Sequence, residues 1–142
     1  MEVHQIRLPV SGTPAAAVSA RRQLTDVLRV WNTFGPELLD RAELVAAELI
    51  ANAVLHAGDG PIWVGARLSD DGLRIEVTDA GSVLPRVGLP DTEAVSGRGL
   101  FLVAALADRH GFDPTPSGKR CWAEFAIDAS LSPAQNIPSQ RS

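Results

Sequence analysis

From Ala42 the chain reads AELVAAELIANAVLHA, and apolar side chains fall on nearly every side of the helix it would form. A helix that is apolar all round has no side to give to water, so other elements must wrap it. The sequence therefore predicts a buried central helix from about Glu37 to His56, stopped at Gly58. With 142 residues, 45% of them hydrophobic and 21% charged, the chain is long enough for one domain built around it.

The remaining elements follow from punctuation and periodicity. His4 to Leu8 reads as a strand ended by Pro9 and the turn Ser11-Gly12. Thr13 then caps a helix that takes Pro14 at its first position and runs to about Trp31. Asn32 to Pro36 is a loop. Ile62, Val64, Ala66 and Leu68 alternate in one strand and Leu73, Ile75 and Val77 in the next, with Asp71-Gly72 as the hairpin turn. Gly81 to Ser96 is loop-like, and a third helix spans about Gly99 to Ala107. Two last strands, about Arg109 to Thr115 and Arg120 to Ile127, are joined by Pro116-Ser117-Gly118. This order is not a βαβ alternation; it predicts a two-layer α/β sandwich, a mainly antiparallel mixed sheet with helices on one face. The domain is expected over residues 1–128, with a Ser-, Pro- and Gln-rich disordered tail over 129–142.

Several function classes drop out. The longest apolar run, Leu100 to Ala107, is far short of the ~20 residues a membrane span needs. Met1-Glu2-Val3-His4 is no secretory signal, so a cytoplasmic location is expected. A net charge of −4 argues against direct nucleic-acid binding. The single cysteine, Cys121, and the scattered His4, His56 and His110 supply neither a disulfide nor a zinc site.

Three breaks in the apolar pattern remain. Glu48, Asn52 and His56 form an i, i+4, i+8 ladder on the central helix. They suit either a Glu–Asn surface pair or the border of a ligand cleft, where Glu48 would polarise a hydroxyl and the Asn52 amide oxygen would hold a hard cation such as Mg²⁺. Asp79 shares the core parity of Leu73, Ile75 and Val77 and precedes Ala80-Gly81. It is either an ordinary turn or an acceptor for the amino group of a flat ligand such as a purine. Gly97-Arg98-Gly99-Leu100 opens the third helix, where bare backbone N–H groups suit phosphate. Gly118-Lys119 is not a Walker loop, because Asp113 stands five residues before that glycine.

In this order, over about residues 5–127, the chain resembles the anti-sigma-factor serine kinases of the histidine-kinase-like (GHKL) ATPase superfamily. Glu48-Leu-Ile-Ala-Asn52-Ala-Val-Leu-His56 resembles the N box, Val77-Thr78-Asp79-Ala80-Gly81 the G1 box and Gly97-Arg98-Gly99-Leu100 the G2 box. Gly118-Lys-Arg-Cys-Trp122 stands at the family's final glycine-containing strand. The resemblance implies the Bergerat fold, ATP and Mg²⁺ as cofactors, and Glu48 as general base. It further implies Asn52 as magnesium ligand, Asp79 at the adenine amino group, and Gly81, Gly97, Arg98, Gly99 and Leu100 along the nucleotide. The implied reaction is phosphorylation of a serine on a STAS-type anti-sigma antagonist, with a sigma factor as the sequestered partner, a homodimeric assembly, and Arg21 on the first helix at the partner surface.

The chain also departs from the pattern. Val83 stands where a second G1 glycine is common, the Asp79–Gly97 stretch carries one basic residue (Arg86), and Arg120 stands where a threonine near adenine is common. These departures keep a second reading open, a nucleotide-dependent protein-binding module without turnover. Trp63, Arg67, Arg74, Glu76, Trp122 and Glu124 share the other face of the strands, as a protein interface or as a solvated face with Arg stems over the Trp rings.

Overall fold

The computed structural model describes residues 4–31, 35–56, 60–81 and 101–127. In chain order these form β1 (His4–Val10), α1 (Pro14–Trp31), α2 (Pro36–His56), β2 (Ile62–Ser69), β3 (Gly72–Asp79), β4 (Arg109–Thr115) and β5 (Gly118–Ala126). Residues 101–106 are also helical. The strands make one sheet in the order β1-β2-β3-β5-β4, and all four pairings are antiparallel. The helices lie on one face: α2 packs on β2, β3 and β5, while α1 packs on α2 and β1. The fold is the expected two-layer sandwich.

Alternation builds the core. Ile62, Val64, Ala66 and Leu68 of β2, Leu73, Ile75 and Val77 of β3, and Cys121, Ala123 and Phe125 of β5 are all buried on the helix side. Against them α2 presents Val45, Ala46, Leu49, Ile50 and Ala53, and α1 adds Leu24 and Leu28. α2 buries one face along most of its length, but Leu44, Ala51 and Leu55 are exposed on the other. The helix is therefore not wrapped on every side as its composition predicts: with helices on one face of the sheet only, its outer side has no layer above it. The Thr13 hydroxyl accepts a hydrogen bond from the Ala16 N–H (3.1 Å), which makes it the N-cap of α1. Arg41 of α2 donates to the Leu106 carbonyl (2.9 Å) and so ties α2 to the end of the 101–106 helix.

Three boundaries differ from the sequence expectation. β1 continues through Pro9 to Val10, because β1 is an edge strand and an edge tolerates a missing donor. The other edge, β4, likewise carries Pro114. The β2–β3 loop is Asp70-Asp71 rather than Asp71-Gly72: Gly72 pairs with Ser69 inside the ladder, at φ +149°. Only glycine fits there, since a Cβ would strike the Phe125 carbonyl. Finally, β5 begins at Gly118, two residues before the expected Arg120, and Gly118 pairs with Thr115 across a Pro116-Ser117 turn. The expected loop over 82–96, the opening of the third helix and the tail from Ala129 fall outside the described residues.

On its outer face the sheet carries a cross-strand ladder. Arg7 stacks over Trp63 (4.2 Å to the ring centroid) and Arg74 over Trp122 (4.5 Å). Arg74 pairs with Glu124 (2.7 Å) and Glu76 (3.3 Å), and the Trp122 indole N–H donates to Asp113 (3.0 Å). Gly111 leaves room for that indole, because a Cβ there would come within 2.6 Å of the ring.

Candidate functional site

The site is built where the C-terminal end of α2 meets the end of β3. On α2, Asn52 is buried, whereas Glu48 one turn earlier and His56 one turn later are half-buried. The polar ladder therefore runs from a partly open position down to the last turn of the helix. There the His56 carbonyl lies against Gly81, so closely that a Cβ on Gly81 would be 2.6 Å from the oxygen. Gly81 in turn donates its N–H to Asp79 Oδ1 (2.7 Å), closing a turn after β3. The last turn of α2, through the His56 carbonyl, thus meets the Asp79–Gly81 turn at one corner of the molecule, with Asn52 one turn and Glu48 two turns back along the helix.

Asp79 is buried, and the side chain beside it is one that the sequence reading missed. Lys119, its direct partner in the β3–β5 register, donates from Nζ to the same Oδ1 at 3.0 Å. Both side chains are only 1% exposed. A charge withdrawn from water is tolerated when it is paired, and Asp79 and Lys119 supply each other's counter-charge. Gly118 makes this approach possible: a Cβ there would collide with the Asp79 carbonyl. The ammonium also stands near the C-terminal end of α2, where the helix dipole favours positive charge.

Arg120, expected near a bound base, faces the other way. Its Nε meets Glu76 Oε1 at 3.2 Å on the outer face of the sheet, because consecutive residues of a strand point to opposite sides. Position 119, not 120, contributes to the corner. Cys121 lies two residues further along β5 on the buried face. Burial pushes its thiol up from 9.0 to about 11, and the nearby Lys119 ammonium offsets this only in part. It is a packing residue rather than a nucleophile.

Arg21 does not belong to this corner. It is exposed on α1, at a shallow apolar groove of about 300 Å³ between α1 and α2 that Val18, Ile50, Val54 and Leu55 also line. The expected phosphate-binding residues Gly97, Arg98, Gly99 and Leu100, and the departures at Val83 and Arg86, lie outside the described residues.

The donor chemistry sets what this corner can hold. Among the described residues no group of three or more His, Cys, Asp or Glu side chains could cage a metal ion. A lone amide oxygen such as that of Asn52 suits Mg²⁺ only in the manner in which Mg²⁺ takes most of its ligands from phosphate and water. At the other end, the acceptor expected for a base amino group already receives two donors on one oxygen. Both donors go to Oδ1, and a carboxylate has a second acceptor oxygen, so the carboxylate fits a base amino group as the amide fits such a magnesium ion. Among the described residues no helix is long and apolar enough to cross a membrane.

Comparison with known proteins agrees with the fold. In architecture the chain is similar to the crystal structure of the RsbU and RsbW domains of Rv1364c from Mycobacterium tuberculosis. The TM-score is 0.67 at 22% sequence identity, over 87% of this chain and 32% of that one. The chain thus spans about a third of the length of that protein. No curated protein sequence matches it. The histidine kinase-like ATPase domain family matches residues 10–125, from the end of β1 to the penultimate residue of β5. That match spans α2 with its buried Asn52, Asp79 and the strand that carries Lys119, and by it the chain belongs to the histidine kinase-like ATPase domain family.

Proposed function

We propose that this domain is a nucleotide-binding regulator of the anti-sigma type, a serine protein kinase that phosphorylates an anti-sigma antagonist and sequesters a sigma factor. The observation that carries the reading is the meeting of the last turn of α2, the helix that bears Glu48 and Asn52, with the Asp79–Gly81 turn in a chain of the histidine kinase-like ATPase family. The fold likeness to a structure containing an RsbW domain supports the anti-sigma assignment. In the proposed reaction the Asn52 amide oxygen holds Mg²⁺ on the phosphates. Glu48, at the half-open end of the ladder, takes the proton from the incoming serine hydroxyl. The serine Oγ–P bond forms, the bond from the γ-phosphorus to the bridging oxygen breaks, and ADP leaves. Arg21, exposed at the α1–α2 groove, is proposed as a partner contact. The kinase reading expects phosphoserine on the antagonist after incubation with Mg-ATP. With Glu48→Ala that product should fall by about 10²–10⁴-fold, the usual range for losing a general base.

A second reading is a protein-binding module that takes nucleotide without turning it over. Under it, ATP binds and no phosphoserine forms with any partner over hours. That result, with binding verified by calorimetry, overturns the kinase reading and leaves the module.

A further inference from the structure

We infer that the outer face of the sheet is a docking surface for an acidic segment of another protein, held by Arg7 and Arg67 beside the bare backbone of Gly65. This goes beyond the nucleotide-binding reading and does not rest on it. A groove of about 450 Å³ lies on this face, with Arg7, Trp63, Gly65, Arg67, Glu76 and Arg120 in its lining.

The groove has more positive charge than its own acid can balance. Glu76 is committed through both oxygens, Oε1 to Arg120 at 3.2 Å and Oε2 to Arg74 at 3.3 Å. Among the described residues no carboxylate pairs with Arg7 or Arg67; Arg7 lies over the Trp63 ring instead. Arg67 is also the register partner of Arg74, and like charges directly opposite one another weaken a sheet. A glutamate at 67 would suit the fold better. The cation there is left to pair with a group from outside.

Gly65 points the same way. Glycine inside a strand costs stability and has no side chain to pack. No close approach demands it here: a Cβ at 65 would stand 3.5 Å from the Ile6 carbonyl oxygen and 3.7 Å from Glu76 Cγ, ordinary contact distances. What the missing side chain leaves is a gap between its register partners, Arg7 on β1 and Glu76 on β3. The backbone of another chain can lie close in that gap. Arg67 stands diagonally across from Arg7, and such positions are about 7–8 Å apart. Same-side residues of an extended segment repeat every ~7 Å, so alternate carboxylates can meet both guanidinium groups.

The charge of the whole chain selects among anions. At a net −4 the molecule repels a long polyphosphate such as nucleic acid, while a short acidic segment need meet only the groove. A second copy docked through this face would bring an identical cationic row against it, since a two-fold interface pairs a patch with itself.

Titration of the full chain at low salt, followed by tryptophan emission, tests this with three probes: a heptapeptide of alternating glutamate and serine, its glutamine counterpart, and a thymidine oligonucleotide. The glutamate peptide is expected to bind with Kd about 0.1–1 mM and the glutamine peptide about tenfold more weakly. Arg67→Glu and Gly65→Thr should each weaken the glutamate peptide about tenfold. Their melting midpoints should hold or rise, because a glutamate can pair with Arg74 and a threonine suits a strand. The inference is overturned if the wild-type protein does not bind, if the two peptides bind equally, or if both variants bind as wild type does. A loss of binding that comes only with a lower midpoint overturns it as well. Tighter binding of the oligonucleotide would make a nucleic acid the occupant, and a dimer that Arg67→Glu dissociates in sedimentation would make it a second copy; either result overturns the inference. Should Gly65→Thr fail to fold, Arg67→Glu, at an exposed position, decides by itself.

Discussion

Replacing Lys119 with methionine removes the ammonium while keeping an unbranched stem of similar length. Asp79 would keep its Gly81 N–H donor but lose its counter-charge, in a place where the side chain is only 1% exposed. Breaking a buried pair by removing one partner costs about 3–5 kcal/mol, most of it the penalty of the charge left behind. At about 3–4 °C per kcal/mol for a domain of this size, the midpoint should fall by roughly 10–20 °C. The companion change Asp79→Asn removes that stranded charge, so the double variant should recover at least about 2 kcal/mol of the loss. Urea titrations of wild type, both single variants and the double variant give the coupling directly, provided the slope with denaturant stays constant. A loss below about 1 kcal/mol for Lys119→Met, or a double variant no better than the single one, would refute the account of this corner.

Further outcomes are expected elsewhere. Gly81→Ala would press a methyl group to within 2.6 Å of the His56 carbonyl, and thermal melts should show a loss of about 1–3 kcal/mol. Thr13→Ala removes the cap of α1 and should cost about 1 kcal/mol, read in the same melts. With its thiol pushed up to about 11, Cys121 should resist alkylation at pH 8 in the folded protein and react once urea unfolds it. Because the folded value is the higher one, the contribution of Cys121 to stability is complete below pH 9 and is lost as pH rises towards 11. A Cys121→Val variant should lack that alkaline decline in urea titrations.

Most of the fold was legible because its signals are local. The cap at Thr13, the apolar run of α2 and the alternation of β2 and β3 each act within a few residues, and each element stands within a residue or two of its expected place. Boundaries moved where tertiary context decides. Pro9 stays in a strand only because that strand lies at an edge, and Gly72 joins a ladder because Phe125 passes beside it. The base end of the site was half legible. Core parity marked Asp79, but beginning β5 at Arg120 hid its partner. Carrying the alternation of Cys121, Ala123 and Phe125 two residues back places Lys119 on the buried face, opposite an aspartate of the same parity. Glycine-lysine after a turn looks like a loop, and only the pairing with β3 distinguishes the two.

The prolines in the two outermost strands bear on how such a domain meets others. Pro9 and Pro114 each delete a hydrogen-bond donor from a rim of the sheet, and their rings prevent a foreign chain from lying flush along it. Recruitment by strand addition is thereby discouraged on both sides, and a companion molecule must instead meet a broad surface: the helices, or the arginine-clasped indoles behind them.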